Sequence, residues 1–97
     1  MDDISIDKIE CILKVYETQN ITKAAEELYL SQQALSKTVK NVESELGLSL
    51  FLRSARGVLP TAMGTRFYQT FAPLLQQYHA RLKEFRSISR SRLRLGL

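Results

Sequence analysis

The stretch between Ser31 and Gly47 constrains the fold more than any other part of the sequence. Apolar side chains recur in it at i, i+4, i+7 and i+11, the spacing of one face of an α-helix: Leu35, Val39, Val42 and Leu46. Ser31 can cap the first turn, and Gly47 can end the helix in a left-handed conformation. The pattern therefore predicts an amphipathic helix from Gln32 to about Leu46, whose apolar face must pack against other elements.

Two shorter helices are predicted before this one. Apolar residues spaced by three and four indicate a first helix over roughly residues 5–18. Polar residues interrupt the pattern at 18–20, and Thr22 is a natural N-cap for a second helix from Lys23 to about Tyr29. The sequence thus predicts three helices of unequal length in its first half.

The helical spacing of apolar residues ends at Gly47, and a strand–turn–strand pattern follows. Residues 48–53 indicate a short strand, residues 54–57 a turn in which Gly57 can adopt a positive φ, and residues 58–60 a second short strand. Pro60 is compatible with a strand end. We therefore expect a small β-hairpin that packs against the three helices.

A long fourth helix is predicted over residues 62–90, with Thr61 as its cap. At 1.5 Å per residue it is about 43 Å long, which is more than a body of some sixty residues can cover. Its apolar stripe is therefore expected to form a dimer interface with another chain, through Phe67, Phe71, Leu74, Leu75, Tyr78, Leu82 and Phe85. Pro73 removes one backbone hydrogen bond, so we expect a kink near residues 69–73 or a break into two helices. The alternating tail at 92–97 is typical of a strand.

Charge divides the 97-residue chain into two unlike halves. Residues 1–50 hold five lysines against nine acids, whereas residues 51–97 hold nine Lys and Arg against Glu84 alone. A basic half indicates a polyanionic partner such as nucleic acid, although a solvated helix face has the same composition. No apolar run approaches the ~18 residues of a membrane span. The acidic start of the sequence leads us to expect no secretory signal, and a lone cysteine fits a reducing cytosol.

The predicted order of helix, short helix, turn, longer helix and hairpin is typical of a helix-turn-helix with a wing. In such proteins the first turn of the second motif helix reaches deepest into the major groove, where it must present donors and acceptors to base edges. Here that turn offers Gln32 and Gln33, followed one turn later by Ser36 and Lys37. Glutamine can pair bidentately with adenine, and lysine can donate to guanine or to a phosphate. The mainly α, winged helix-turn-helix fold and a DNA-binding function are thus predicted together.

The stretch from Ile21 to Lys40 resembles the helix-turn-helix of the LysR-type transcriptional regulators. The resemblance continues through VESELG at 42–47, LFLR at 50–53, RGV at 56–58 and PTAMG at 60–64. It implies a DNA-binding domain at 4–61, with the motif at 21–40 and the wing at 50–60, and a linker helix at 62–90 that pairs antiparallel with a second chain. It also implies that residues 91–97 are the stub of a missing effector-binding domain, so that the chain is a fragment.

The family's contact positions can be carried over one by one. The positions that contact bases in the family correspond to Gln32, Gln33, Ser36 and Lys37. Those that contact the DNA backbone correspond to Thr22, Ser31, Lys40 and Arg53, and the wing position associated with the minor groove corresponds to Arg56. The family often has proline where Gln33 stands and arginine where Lys37 stands. Since Lys37 lacks the bidentate fork of arginine, the operator preference of a relative should not be transferred to this chain.

The resemblance also implies the setting in which the protein acts. It predicts a bacterial, cytoplasmic, nucleoid-associated transcription factor that binds an interrupted palindrome of double-stranded DNA as a homodimer, or as a tetramer when full length. No cofactor or metal is expected in this chain, while the whole protein would bind a small-molecule effector in the missing domain. A role at a membrane is not expected.

Other functions remain open on the residues alone. A helical dimerisation or adaptor module that makes only protein contacts would also suit the long apolar stripe and the acidic first half. An enzyme is not expected, because the S-x-x-K match at Ser5–Lys8 lacks its companion motifs. His79 lacks the partners of a metal site, and Cys11 is expected in the core.

Overall fold

The computed structural model of the protein describes residues 4–94, with side chains as far as Arg90. Three helices come first, α1 (Ile6–Thr18), α2 (Ile21–Leu28) and α3 (Gln32–Leu46). A hairpin of β1 (Phe51–Ser54) and β2 (Gly57–Pro60) follows, and then the long helix α4 (Ala62–Arg94). The fold class predicted from the sequence, three helices and a two-stranded wing followed by a long helix, is confirmed.

Helix α1 lies at the centre of the body, since it contacts α2, α3, α4 and the second strand. The core is built where the apolar faces of these elements meet, and its largest fully buried side chains are Ile12, Val15, Leu35, Val42 and Leu50. Cys11 is also buried, as predicted. Within residues 4–94, none of the helices combines the length and apolar character that a bilayer span requires.

The boundaries of the short helices follow from their caps. Ser31 Oγ accepts a hydrogen bond from the Ala34 amide at 3.0 Å, and Gly47 ends α3 with a φ of 69°, both as predicted. The predicted cap at Thr22 is wrong. Asn20, in an extended conformation, caps α2 instead, because its Oδ1 accepts from the Lys23 amide at 3.0 Å. Thr22 therefore lies inside the first turn of the helix.

The hairpin is shorter than predicted, because β1 begins at Phe51 rather than at residue 48. The carboxylate of Glu43 explains the difference. Its Oε2 accepts from the amides of Leu50 and Phe51 at 2.7 and 3.1 Å, which holds the segment after α3 in a loop. The antiparallel register then pairs Phe51 with Pro60 and Ser54 with Gly57.

Helix α4 is continuous past Pro73, so the predicted alternative of two separate helices is wrong. Packing on both sides of the proline offsets the lost backbone bond, because Ala72 is half-buried and Leu75 is buried against the core. The predicted strand-like tail is also wrong over residues 92–94, which continue the helix and so satisfy their backbone within it. The rest of that predicted stub, residues 95–97, lies outside the described residues.

Candidate nucleic-acid interface

The first turns of α3 have a buried inner face and a solvent-exposed outer face. Ser31 caps the helix, and Leu35 and Val39 bury the inner face in the core. The outer face carries the exposed side chains of Gln32 and Gln33. The two side-chain amide groups are therefore held at the start of a capped helix and remain accessible to solvent.

Two lysines extend this outer face. Lys37 and Lys40 are exposed and follow Gln33 at i+4 and i+7, which places all three on one side of the helix. Among the described side chains, neither lysine makes an ion pair. Both ammonium groups are thus available to an anion outside the protein.

The wing is tied to the helices at the α1–α2 turn. The Val58 amide donates to the carbonyl oxygen of Gln19 at 3.3 Å. Gly57 has a φ of 127°, and a Cβ at this position would come within 2.8 Å of the same carbonyl oxygen. Only glycine allows this approach, so Gly57 fixes the distance between the wing and the helix-turn-helix.

The tip of the wing is ordered by Ser54. Its hydroxyl accepts from the Arg56 amide at 3.2 Å and donates to the Gly57 carbonyl oxygen at 3.3 Å. These bonds close the two-residue turn and leave the side chain of Arg56 exposed. Arg53, on the strand leading into the turn, is also exposed.

An open groove of about 540 Å³ lies between the first turns of α2 and α3 and the wing. Six of the nine predicted DNA-binding residues line it together, namely Thr22, Gln32, Gln33, Ser36, Arg53 and Arg56. The other three, Ser31, Lys37 and Lys40, are exposed but lie outside its lining. The fold thus brings together residues that are up to 34 positions apart in the sequence.

The charged side chains in the lining of this groove are all positive. It holds two arginines, and no carboxylate is among the described residues that form it. Two of the nearby acids have partners elsewhere, since Glu27 pairs with Lys14 at 3.3 Å and Glu43 holds the loop before the wing. The described residues that line the groove therefore present no negative side chain to a polyanion.

The groove also contains residues that the sequence analysis did not select. Asn20 and Ser54 line it beside the predicted residues. An Asn before a helix is a capping signal for Asn20, but Thr22 carries the same signal two residues later, so the sequence alone does not decide between them. The role of Ser54 depends on the hairpin register, which the sequence does not specify.

Arg53 and Ser36 are joined across the groove. Arg53 Nη2 donates to Ser36 Oγ at 2.8 Å, so the guanidinium of the wing is held against α3. Ser36 is half-buried, whereas Arg53 is exposed. The hydrogen bond therefore couples the positions of these two side chains.

The predicted dimer residues fall into two groups. Phe67 and Leu75 are buried in the chain's own core, and Phe71 is half-buried beside them. The remaining four are exposed on the distal part of α4, from 36% for Leu82 to 69% for Phe85: Leu74, Tyr78, Leu82 and Phe85. The periodicity of a helix does not distinguish an intrachain core from a contact between chains.

Two other reactive side chains, His79 and Cys11, lie outside the lining of this groove. His79 Nε2 lies 2.6 Å from Glu10 Oε1, and no group of potential metal ligands occurs within the part of the chain that is described. Burial raises the pKa of the Cys11 thiol, and the carboxylates of Asp7 and Glu10 raise it further. A thiol with a raised pKa is a poor nucleophile.

Residues 6–65 match the model of a known protein family, described as bacterial regulatory helix-turn-helix protein, lysR family. The chain is 35% identical over 86 residues to an uncharacterised HTH-type transcriptional regulator, YcgK, of Bacillus subtilis (strain 168), a match that covers 89% of this chain and 26% of that protein. It is 32% identical over 97 residues to the RuBisCO operon transcriptional regulator of Allochromatium vinosum, which covers 97% of this chain and 32% of that protein.

Solved structures agree with these relatives. The fold is similar to the crystal structure of the BenM DNA-binding domain in complex with catB site 1 DNA, with a TM-score of 0.82 and 33% identity over 88% of this chain and 96% of that chain. The chain spans between about a quarter and a third of the length of the curated relatives it matches.

Proposed function

Since the chain belongs to the lysR family of bacterial regulatory helix-turn-helix proteins, we propose that it binds double-stranded DNA in a sequence-specific manner as part of a transcription regulator. One observation carries the proposal. The groove between α2, α3 and the wing gathers six predicted contact residues in a positive lining that holds no acid among the described residues. A similar domain has been solved in complex with DNA, which supports DNA as the partner.

In this proposal the first turn of α3 enters the major groove. Gln32 and Gln33 pair with base edges, and Ser36 and Lys37 stand one turn further along the helix. Thr22, Ser31 and Lys40 contact the sugar-phosphate backbone, which fixes the register without reading sequence. Arg53 contacts the backbone, and Arg56 at the wing tip reaches the adjacent minor groove.

The proposed regulator acts as a homodimer. Two copies joined through α4 would place two recognition helices on an interrupted palindrome. The exposed apolar residues of α4 support this proposal, because they need a cover that the described part of one chain does not provide.

The whole protein is proposed to have a second part. Because the chain matches about a quarter to a third of its curated relatives, the DNA-binding domain at 4–61 and the linker helix at 62–90 would be followed by a domain that binds a small-molecule effector. No cofactor is proposed for the residues present here. The proposed setting is the bacterial cytoplasm, at the nucleoid, and a tetramer is one assembly open to the longer protein.

Selection from a random duplex library at physiological salt tests the proposal. Sequencing of the bound pool should return a motif with two-fold symmetry. The control is the same selection with a variant that lacks one amide and one charge of the interface, Gln32→Ala with Arg53→Ala. A wild-type pool that is no more enriched than the control pool would favour the alternative of an adaptor module that contacts only proteins.

A further inference from the structure

Pro73 divides α4 into two parts that are held to the body in different ways. The proline has no N–H, so the helix lacks one backbone hydrogen bond there, and helices bend most readily at such a point. Before it, Phe67 is buried and Tyr68 stacks on Tyr16 of α1. The residues that follow it, 74–90, are called the arm below.

The arm has little apolar contact with the body. Among its described residues, Leu75 is the one buried side chain, Ala80 is half-buried, and every side chain from 81 to 90 is exposed. Tyr78 and Leu82 line an open groove beside the start of α1 but remain 40% and 36% exposed. Apolar packing alone therefore fixes the direction of the arm only weakly.

One polar contact joins the arm to α1. His79 Nε2 and Glu10 Oε1 are 2.6 Å apart, although the two residues are separated by 69 positions in the sequence. Among the described side chains, no other hydrogen bond or ion pair links the arm to another element, since the pair of Arg81 with Glu84 lies within α4. A carboxylate oxygen only accepts, so Nε2 must carry the hydrogen. Two contacts one turn apart, at Leu75 and His79, thus define the direction in which the arm leaves the body.

This direction matters for a dimer on DNA. From Pro73 to Arg90 the helix is about 25 Å long. A tilt of about 10° at the proline displaces the far end by about 4 Å, which is more than the rise of about 3.4 Å between successive base pairs. In a dimer joined through α4, as proposed above, the same tilt changes the distance between the two α3 helices by a similar amount. The direction of the arm therefore decides which separation of two half-sites fits.

We propose that the contact between His79 and Glu10 sets the half-site spacing of the operator, with both side chains acting as positioning residues that do not touch DNA. The proposal rests on the proposed function as a dimeric DNA-binding protein and adds the determinant of its spacing. Both residues lie outside the lining of the groove between α2, α3 and the wing. A change at either should therefore alter the spacing preference and leave the reading of one half-site intact.

Duplexes of graded spacing test the proposal. Selection from the random library gives the preferred spacing, and three duplexes then carry the two half-sites at that spacing and at one base pair more and one fewer. The wild type should bind the preferred duplex at least about tenfold more tightly than its neighbours, since one base pair changes both the distance and the rotation between half-sites. In His79→Ala this ratio should fall to about threefold or less, while affinity for a duplex with a single half-site stays within about twofold.

Three further variants separate positioning from other effects. Glu10→Ala removes the other partner and should give the same reduced ratio, with no further change in the double variant. His79→Gln keeps a side-chain N–H donor and should restore much of the wild-type ratio. Gln77→Ala is the control, because Gln77 is exposed on the same arm. An unchanged ratio in both His79→Ala and Glu10→Ala would overturn the proposal.

The fold of these variants should be unaffected. Solvent-exposed ion pairs contribute little to stability, so thermal unfolding of His79→Ala at a fixed protein concentration should match the wild type. A reduced spacing ratio in a chain of unchanged stability would then report the direction of the arm and not damage to the body.

A distance measurement without DNA examines the arm directly. Spin labels at Glu26→Cys in α2 and Ser87→Cys in the arm report the separation of body and arm, because both positions are exposed while the native Cys11 is buried. An excess of unlabelled chain ensures that each labelled copy pairs with an unlabelled one. The wild type should give a narrow distance distribution and His79→Ala a broader one. An equally narrow distribution in His79→Ala would overturn the proposal.

The two experiments distinguish the proposal from the function on which it rests. A chain with no affinity for any duplex would overturn the proposed function, and the spacing proposal with it, even if the distance distribution broadens in His79→Ala. Specific binding with the same spacing preference in the wild type and in His79→Ala would overturn the spacing proposal alone.

Discussion

The guanidinium of Arg53 on the wing donates a hydrogen bond to the hydroxyl of Ser36 on α3, with 2.8 Å between Nη2 and Oγ. The sequence predicts that each of these residues touches DNA on its own. The hydrogen bond instead couples them, because Ser36 limits the directions in which the arginine can point. A side chain ordered before binding loses less conformational entropy when it meets a phosphate.

This coupling predicts the outcome of a double-mutant cycle on DNA affinity. Ser36→Ala should weaken binding by roughly the value of one hydrogen bond, about 0.5–1.5 kcal/mol. The same change should have almost no effect in an Arg53→Ala background, because there is then no guanidinium to hold. Fluorescence anisotropy with one labelled duplex gives all four affinities. An equal loss in both backgrounds would mean that Ser36 contacts DNA directly.

Gln32 should behave as a base reader. Its side chain is exposed on the first turn of α3 and lines the groove. Gln32→Ala is expected to lower affinity for the selected operator by about 1–3 kcal/mol and to relax the preference at one base pair. Gln69→Ala, an exposed glutamine on α4, is the matched control and should change neither. If Gln32→Ala weakens binding to every sequence equally, the residue contacts the backbone only.

Much of the fold follows from local signals in the sequence. The caps at Ser31 and Gly47 and the apolar stripe between them predict α3 at its observed bounds, because those signals act within a few residues. The errors arise where tertiary contacts decide. The Leu50 amide donates to the carboxylate of Glu43, so the strand that the sequence predicts from residue 48 begins only at Phe51. Packing of Leu75 against the core keeps α4 continuous beyond Pro73.

Six of the residues that line the candidate groove follow from the sequence, but the contacts between them do not. Residue type and position in a helix-turn-helix indicate Gln32 and Arg56 without a structure. The bond between Arg53 and Ser36 depends on the register of the hairpin and its distance from α3, both of which are long-range properties. Likewise, periodicity places Phe67 and Phe85 on one stripe, yet only the packed structure shows that the first is buried and the second exposed.

Arg56 should contribute to binding through charge. It is exposed at the tip of the wing, and Ser54 holds the backbone of the turn. Arg56→Ala is expected to weaken binding to all sequences and to reduce the slope of log K against log salt by about 1. Arg81→Ala is the control, because Arg81 pairs with Glu84 on α4, away from the groove. An unchanged slope in Arg56→Ala would place this arginine outside the interface.

The contact between α1 and α4 should weaken at high pH. Tyr68 stacks on Tyr16 with 4.2 Å between ring centroids, and its hydroxyl donates to Glu17 Oε2 at 2.8 Å. This hydrogen bond, with a smaller effect of burial, raises the pKa of Tyr68 above its usual value near 10. The folded chain thus holds this proton more tightly than the unfolded chain does. The resulting stabilisation is complete below pH ~10 and is lost as the pH rises through the folded-state pKa.

Urea unfolding of the wild type and Tyr68→Phe across this range checks the pH dependence. The phenylalanine keeps the stacking but has no hydroxyl proton to lose. The difference between the unfolding free energies of the wild type and Tyr68→Phe should therefore be constant from pH ~7 to ~9. Above pH ~10 the wild type should lose stability relative to Tyr68→Phe. Tyr29→Phe is the control, because Tyr29 is 95% exposed and is expected to track the wild type. A constant difference throughout would contradict the role of the hydrogen bond to Glu17.

Gly64 should be intolerant of any side chain. It is buried in the first turn of α4, and a Cβ at this position would overlap the backbone carbonyl of Leu50. Gly64→Ala is therefore expected to destabilise the fold by about 1–3 kcal/mol, even though alanine favours a helix over glycine by up to ~1 kcal/mol. Gly47→Ala is the comparison variant, because it introduces backbone strain without a steric clash. An alanine at the φ of 69° found at Gly47 costs roughly 1 kcal/mol, and nothing lies within 4 Å of the added Cβ. Thermal unfolding at one fixed protein concentration ranks the two variants, and a Gly64→Ala chain as stable as the wild type would show that the Leu50 loop can move away from α4.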